Sequence, residues 1–141
     1  MVDTLRVGII GTGGLGRSLG EQALAVAGVE IVALADVSTE PLAEAGDLLE
    51  VPEDDRYTDW TAMFDAADLD AVIIATPHTL HYDQITAAMD RGLHVLCEKP
   101  LTTDLKYARD LRDRAAESRT TLMVGYQRHL DPAYASARDR I

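Results

Sequence analysis

Four short stretches carry residue types that could do chemistry, and each falls where an apolar run ends. The first is Gly11-Thr12-Gly13-Gly14-Leu15-Gly16, a G-x-G-x-x-G that follows Leu5–Ile10 and opens a segment of helical periodicity. In a strand–turn–helix, Gly11 permits the tight turn, Gly13 lets the backbone approach a pyrophosphate, and Gly16 lets the helix pack close to the strand. The free N–H groups and the dipole at the helix N-terminus then favour the anion. A glycine turn without a ligand is the alternative, and the strand–helix context argues against it. The second is Asp36, about 20 residues after Gly16 at the end of the next apolar run. A carboxylate at that spacing accepts from the adenosine ribose and repels a 2′-phosphate, so NAD is favoured over NADP. Arg17, Ser38 and Thr39 could soften that preference, and a strand-end turn residue is the plainer reading of Asp36.

The third stretch is Ala75-Thr76-Pro77-His78, after the run Ala71–Ala75. In a doubly wound sheet this loop lies where the strand order reverses, beside the ligand crevice, which puts Thr76, Pro77 and His78 in the cofactor site and makes Thr76 and His78 neighbours of the nicotinamide half. His78 and His81 stand at i, i+3 with no third ligand nearby in sequence, so no metal site is expected. Histidines at such a loop–helix junction more often have a structural role. The fourth stretch is Cys97-Glu98-Lys99-Pro100. A lysine at a strand's C-terminal end could contact the ribose and a substrate hydroxyl, and partial desolvation would bring its ammonium toward proton-transfer range. An ordinary surface lysine is nearly as good a reading, and Cys97 is most simply a small buried hydrophobe.

Positioning these residues calls for alternating strands and helices. Leu5–Ile10, Val29–Ala35, Ala71–Ala75, Leu93–Cys97 and Thr121–Val124 read as buried strands, with a weak one near Arg56-Tyr57. Between them Leu15, Leu19, Ala23 and Val26 recur at helical spacing up to a Gly28 C-cap. Pro41 suits the first turn of a helix carrying Leu42, Ala45, Leu48 and Leu49 on one face. Thr58 or Asp59, Thr79 and Thr103 are the N-cap candidates of the next three helices. Ile85, Ala88 and Met89 should face inward on the second of these, which Arg91-Gly92 closes; Leu105, Ala108, Leu111 and Ala115 should do so on the third. Near-continuous apolar strands imply a parallel sheet covered on both faces. The expected fold is α/β, a doubly wound Rossmann sheet in the order 3-2-1-4-5-6, with Gly11, Asp36, Thr76 and Lys99 at its C-terminal edge.

Composition narrows the class. The 141 residues are 47% apolar, enough for one packed domain and against disorder. The start, Met1 to Arg6, has no leader pattern, no run is long enough to span a bilayer, and a single cysteine excludes an internal disulfide framework, so a cytoplasmic location is the default. The net charge of −11 comes from 16 Asp and 8 Glu against 11 Arg and only 2 Lys. So acidic a surface disfavours nucleic acid and membrane partners. It is either an ordinary solvated face or a halophilic adaptation, in which multimolar salt mutes self-repulsion.

The glycine motif, Asp36, Thr76-Pro77 and above all Glu98-Lys99-Pro100 together resemble the N-terminal domain of the Gfo/Idh/MocA oxidoreductases, the glucose–fructose oxidoreductase and inositol dehydrogenase family. Gly92 to Leu101 is close to its signature, and Gly125-Tyr126-Gln127-Arg128-His129-Leu130-Asp131-Pro132 resembles the segment leading into its second domain. The resemblance implies a nicotinamide enzyme acting on a sugar, polyol or related CH–OH group. It assigns Lys99 to the nicotinamide ribose and the substrate hydroxyl, gives Pro100 a preceding cis bond, includes Glu98 in the cofactor site and places Arg128 near the cleft. It implies residues 1–124 as the Rossmann domain and 125–141 as the start of a link to a second domain. In the family that second domain holds the substrate and the oligomer interface, and it is absent from this sequence. The expectation is therefore a cofactor-binding domain inactive alone. A non-catalytic NAD-binding or redox-sensing module is the alternative, which a downstream reading frame would decide. S-adenosylmethionine is a third ligand, disfavoured because that chemistry has no evident use for Lys99.

Overall fold

Short, nearly continuous apolar runs pair into one parallel sheet whose four central strands bury both faces, while the edge strands Arg56–Tyr57 and Leu122–Val124 are only partly covered. The computed structural model describes residues 4–140; the Met1–Asp3 part of the stretch inspected for a leader lies outside them. The strands are β1 (Leu5–Ile10), β2 (Val29–Ala35), β3 (Arg56–Tyr57), β4 (Ala71–Ile74), β5 (His94–Cys97) and β6 (Leu122–Val124). The helices are α1 (Gly14–Leu24), α2 (Thr39–Leu48), α3 (Trp60–Ala66), α4 (His81–Asp90), α5 (Leu105–Glu117) and α6 (Pro132–Arg138). The sheet order is β3-β2-β1-β4-β5-β6, the expected doubly wound arrangement.

Alternation along the strands divides the core in two, with one irregularity opposite Val7/Gly8 that puts Ile31 and Leu34 of β2 on the same face. On one face Val7, Ile9, Ile31, Leu34 and Ile73 pack against Leu42, Ala45 and Leu49 of the α2 region. On the other, Ile10, Val72, Ile74 and Val95 pack against Met63 and Phe64 of α3, Ile85 and Ala88 of α4, and Leu111 of α5. Each large aliphatic residue buried this way contributes roughly 1.5–3 kcal/mol. The two halves of the sheet are welded through β1–β4, where Val7 to Ile10 pair in register with Ala71 to Ile74.

Several local expectations are corrected. α1 ends at Leu24 with Ala25 as its cap, so Gly28 (φ 84°) belongs to the following turn. Its buried positions are Gly16 and Gly20, while Leu15 and Val26 are exposed. Glycines on that face let the helix lie against the sheet more closely than the leucine spacing suggests. Leu48 and Leu105 are also exposed, because each sits at a helix end beyond the packed face. Thr79 does not cap α4; it lies in a 3₁₀ turn, His78–Leu80, that delays the helix to His81. At α5 the cap is Asp104, whose carboxylate accepts from the Lys106 N–H at 2.8 Å, instead of Thr103. Asp59 is the cap of α3 and accepts from the Thr61 N–H at 2.9 Å.

Candidate functional site

Gly11, Gly13, Asp36, Thr76, Pro77, Glu98 and Lys99 gather at the C-terminal edge of the sheet because each follows a strand by one to three positions. The parallel ladder continues past the strand ends to hold them. Gly11 N–H donates to Ala35 C=O at 2.8 Å, Asp36 N–H to Tyr57 at 3.1 Å, Ala75 N–H to Ile10 at 2.8 Å and Glu98 N–H to Ile74 at 2.9 Å. The loop positions are thereby fixed by backbone before any side chain acts.

Gly11 has φ +88°, and a Cβ there would meet the Ala75 carbonyl carbon and oxygen, each at 2.7 Å. The glycine is what allows the β1 and β4 ends to touch. A Cβ at Gly16 would collide with the Gly11 carbonyl, so α1 can close onto its own entry loop only as glycine. Gly13, by contrast, has nothing within 4 Å of where a Cβ would stand, and neither does Gly14. Gly13 is the N-cap of α1 and provides no side-chain cap, leaving first-turn N–H groups facing open space.

Asp36 is tied to this loop. Its Oδ2 accepts from the Thr12 N–H at 2.7 Å and the Thr12 hydroxyl at 3.2 Å, and its Oδ1 accepts from the Ser38 N–H at 2.9 Å. Thr12 is buried beneath it. A carboxylate has about four acceptor positions, so roughly one, on Oδ1, remains for an incoming hydroxyl. Arg17 is drawn the other way, into an ion pair with Glu44 of α2.

Three hollows open along this edge. One of about 460 Å³ is lined by Gly11, Gly13, Asp36, Thr76 and Pro77 together with Val37 and Trp60. A second, about 430 Å³ and largely apolar, is lined by Leu15, Glu98, Met123 and Tyr126 among others. The third, about 440 Å³, brings Lys99 together with Tyr126, Gln127, Arg128 and His129. His78 is not among the lining residues of these three; it is exposed and its ring meets His81 edge-on at 5.5 Å.

The Lys99–Pro100 bond is cis. Lys99 itself is exposed, and its N–H donates to Glu98 Oε2 at 3.2 Å. Glu98 is buried, with its carboxylate against Gly125, where a Cβ would stand 2.8 Å from Oε1. Burial, and then the Glu98 charge, push the Cys97 thiol up to about 12, which leaves it a poor nucleophile. Arg128 reaches over the Tyr134 ring at 5.5 Å.

Two residues of α4 complete the frame. Gln84 is buried, and its Oε1 accepts from the Thr76 hydroxyl at 2.6 Å. His81 is fully buried, with Nδ1 3.0 Å from the Pro100 carbonyl oxygen and Nε2 2.9 Å from that of Thr76. The signal for both was available: two polar residues at i, i+3 on the helix face that carries Ile85 and Ala88 need buried partners.

Comparison with known proteins agrees with this geometry. Residues 5–126 match the Gfo/Idh/MocA family, described as an oxidoreductase family with an NAD-binding Rossmann fold. Inositol 2-dehydrogenase 4 of Saccharopolyspora erythraea is 36% identical over 136 residues, covering 95% of this chain and 40% of that protein. D-xylose 1-dehydrogenase (NADP(+)) 2 of Haloferax volcanii is 34% identical, covering 95% of this chain and 41% of that protein. Scyllo-inositol dehydrogenase from Lactobacillus casei, solved with NAD(H) and scyllo-inositol, superposes with a TM-score of 0.88 at 29% identity, over 97% of this chain and 40% of its own. The chain therefore spans about 40% of the length of the relatives it matches.

Proposed function

The chain belongs to the Gfo/Idh/MocA oxidoreductase family, and from that premise we propose that it is the nucleotide-binding domain of a dehydrogenase acting on a sugar, polyol or related CH–OH group. The observation that carries this is the Thr12–Asp36 tie at the mouth of α1, which sets a ribose acceptor beside an uncapped helix N-terminus. The residues present suit NAD. Open space at Gly13 leaves room for a pyrophosphate, first-turn N–H groups donate to it, and Asp36 keeps one acceptor position for an adenosine hydroxyl. Pro77 and Val37, exposed beside Asp36, offer apolar surface to the adenine. Leu15 and Met123, both half exposed, offer the same to the nicotinamide, with Glu98 lining the same hollow.

A nicotinamide bound there supplies the hydride acceptor or donor. In this reading Lys99 holds the ribose and the substrate oxygen and moves the proton that accompanies the hydride, while Arg128 lines the same hollow. Asp36 favours NAD over NADP, and the pairing of Arg17 with Glu44 withholds a cation from a 2′-phosphate. In this reading residues 1–124 act as the cofactor domain, and the segment 125–141 leads toward a second one. Lys99 stands at open surface, so the chain by itself binds cofactor while turning over sugars or polyols weakly. The single cysteine, free and buried, supports a cytoplasmic location, and the Asp-rich, Lys-poor composition supports a salt-rich one.

Calorimetric titration with NADH, NADPH and S-adenosylmethionine tests this reading. NADH should bind tightest. Binding of S-adenosylmethionine without NADH would overturn it.

A further inference from the structure

We infer that His81 is a positioning residue that locks the turn after Lys99 to the Thr76 loop by donating a hydrogen bond from each ring nitrogen. The inference rests on the reading above that Lys99 serves the nicotinamide half of the cleft. Its chemistry is simple. The Pro100 and Thr76 carbonyl oxygens carry no hydrogen and can only accept, and they stand 3.0 and 2.9 Å from Nδ1 and Nε2. A neutral imidazole has one N–H and one lone pair, so it satisfies one carbonyl and sets its lone pair against the other. Only the doubly protonated ring donates to both. Two charge-assisted hydrogen bonds would accompany the second N–H.

The bridge joins places far apart in sequence, the ends of β4 and β5. Gln84, one turn further along α4, holds the Thr76 hydroxyl at 2.6 Å, so the start of this helix fixes that loop by side chain and main chain together. Lys99 is exposed and depends on its backbone for position. On one side its N–H meets Glu98, and on the other the next carbonyl is held by His81. Titratable groups beside the bridge include His78, edge-on at 5.5 Å, Tyr82 and Asp83, which follow His81 on α4, and Glu98 and Lys99, which precede the Pro100 carbonyl in the chain. A ring with a single N–H would set its lone pair against a carbonyl oxygen at one of the two contacts.

The test is a nitrogen-15 spectrum of the histidine rings in the folded 141-residue chain near neutral pH, without cofactor. Removing the exposed His78, His94 and His129 one at a time assigns His81. Both His81 nitrogens should carry protons, with couplings to the Pro100 and Thr76 carbonyl carbons. A His81 nitrogen with a bare lone pair would overturn the bridge, and this readout needs no variant at His81. With His81→Phe, the Lys99 amide and side-chain resonances should shift while those of Gly13 and Asp36 stay. Lys106, the only other lysine, serves as internal control. An unmoved Lys99 in folded His81→Phe would reduce the bridge to a structural role and overturn the positioning claim. NADH added to the unaltered chain should also move the Lys99 resonances. Failure there would overturn the nicotinamide reading, whereas the ring spectrum stands or falls separately.

Discussion

Replacing Asp36 should weaken two different things, and the structure says by how much each. Its carboxylate already receives the Thr12 N–H, the Thr12 hydroxyl and the Ser38 N–H, so one acceptor position is left for the adenosine ribose. A hydrogen bond to a charged acceptor is worth ~1.5–3 kcal/mol net. At ~1.4 kcal/mol per tenfold, Asp36→Asn should weaken NADH by about 10- to 150-fold. It should leave NADPH no weaker, because at an effective dielectric near 20 a carboxylate and a phosphate charge about 4 Å apart repel by ~4 kcal/mol. The asparagine keeps a carbonyl acceptor for Thr12. Asp36→Ala does not, and it leaves the N–H of buried Thr12 unpaired, which costs ~1–3 kcal/mol of folding stability. Calorimetry with both cofactors and a melting curve of the free chain separate the effects. Asparagine should change the affinity ratio with a small change in melting, and alanine should change both. Equal affinity of the unaltered chain for NADH and NADPH would refute the role given to Asp36. An unchanged melting temperature in Asp36→Ala would refute the tie to the glycine loop.

Lys99→Ala should change NADH affinity by less than about threefold, since one net hydrogen bond of ~0.5 kcal/mol at an exposed site is the most it is asked to supply; a loss of binding would mean the lysine holds the cofactor more than the substrate. At the opposite edge of the sheet, hydrogen bonds from the Arg6 side chain, then from its backbone N–H, hold the Asp70 carboxyl down to about 2 from 3.8. A depressed carboxyl stabilises the fold fully above its ordinary value and loses that contribution as pH falls toward 2. With the Asp70 side chain 34% exposed, a screened contribution of ~1 kcal/mol is expected. Asp70→Asn should lower neutral-pH stability by about that much and flatten the denaturation profile between pH 4 and 2, and a parallel acid limb would contradict it. The net charge of −11 predicts a melting temperature that rises from low salt to multimolar KCl; a flat dependence would remove the halophilic reading and leave the cofactor reading intact.

The sheet was legible because its strands are short, nearly all apolar and punctuated by glycine, so type and order could be read from one dimension. Even the two-residue β3 could be placed, as the topology needed a strand between α2 and α3. Helix ends were less legible. Thr79 and Thr103 are good caps by type, yet a 3₁₀ turn starts α4 two residues later, and Asp104 outcompetes its neighbour at α5. On α1 the apolar spacing holds at Leu19 and Ala23, which pack on the core, and fails at Leu15 and Val26, because the most deeply buried positions of the helix are Gly16 and Gly20. Leu15 faces the hollow beside Glu98 instead, a position that apolar periodicity alone assigns to the core.

The candidate site divides in the same way. Gly11, Asp36, Thr76 and Lys99 could be placed together because each follows a strand, and parallel strands end on the same edge. What joins them could not. The Thr12–Asp36 bond spans 24 residues and the His81–Pro100 bond spans 19, and neither pairing has a sequence pattern of its own that joins the two partners. In both cases a residue singled out for a ligand, or set aside as structural, turns out to hold another loop of the same edge. Asp36 fixes the glycine loop against β2, and the first turn of α4 fixes the β4 loop against the turn after β5. The edge is thus cross-braced on both sides of the β1–β4 junction, where the strand order reverses and the crevice opens. Such bracing lets short, glycine-rich loops hold fixed donor and acceptor positions without a ligand, which lowers the ordering cost of binding one.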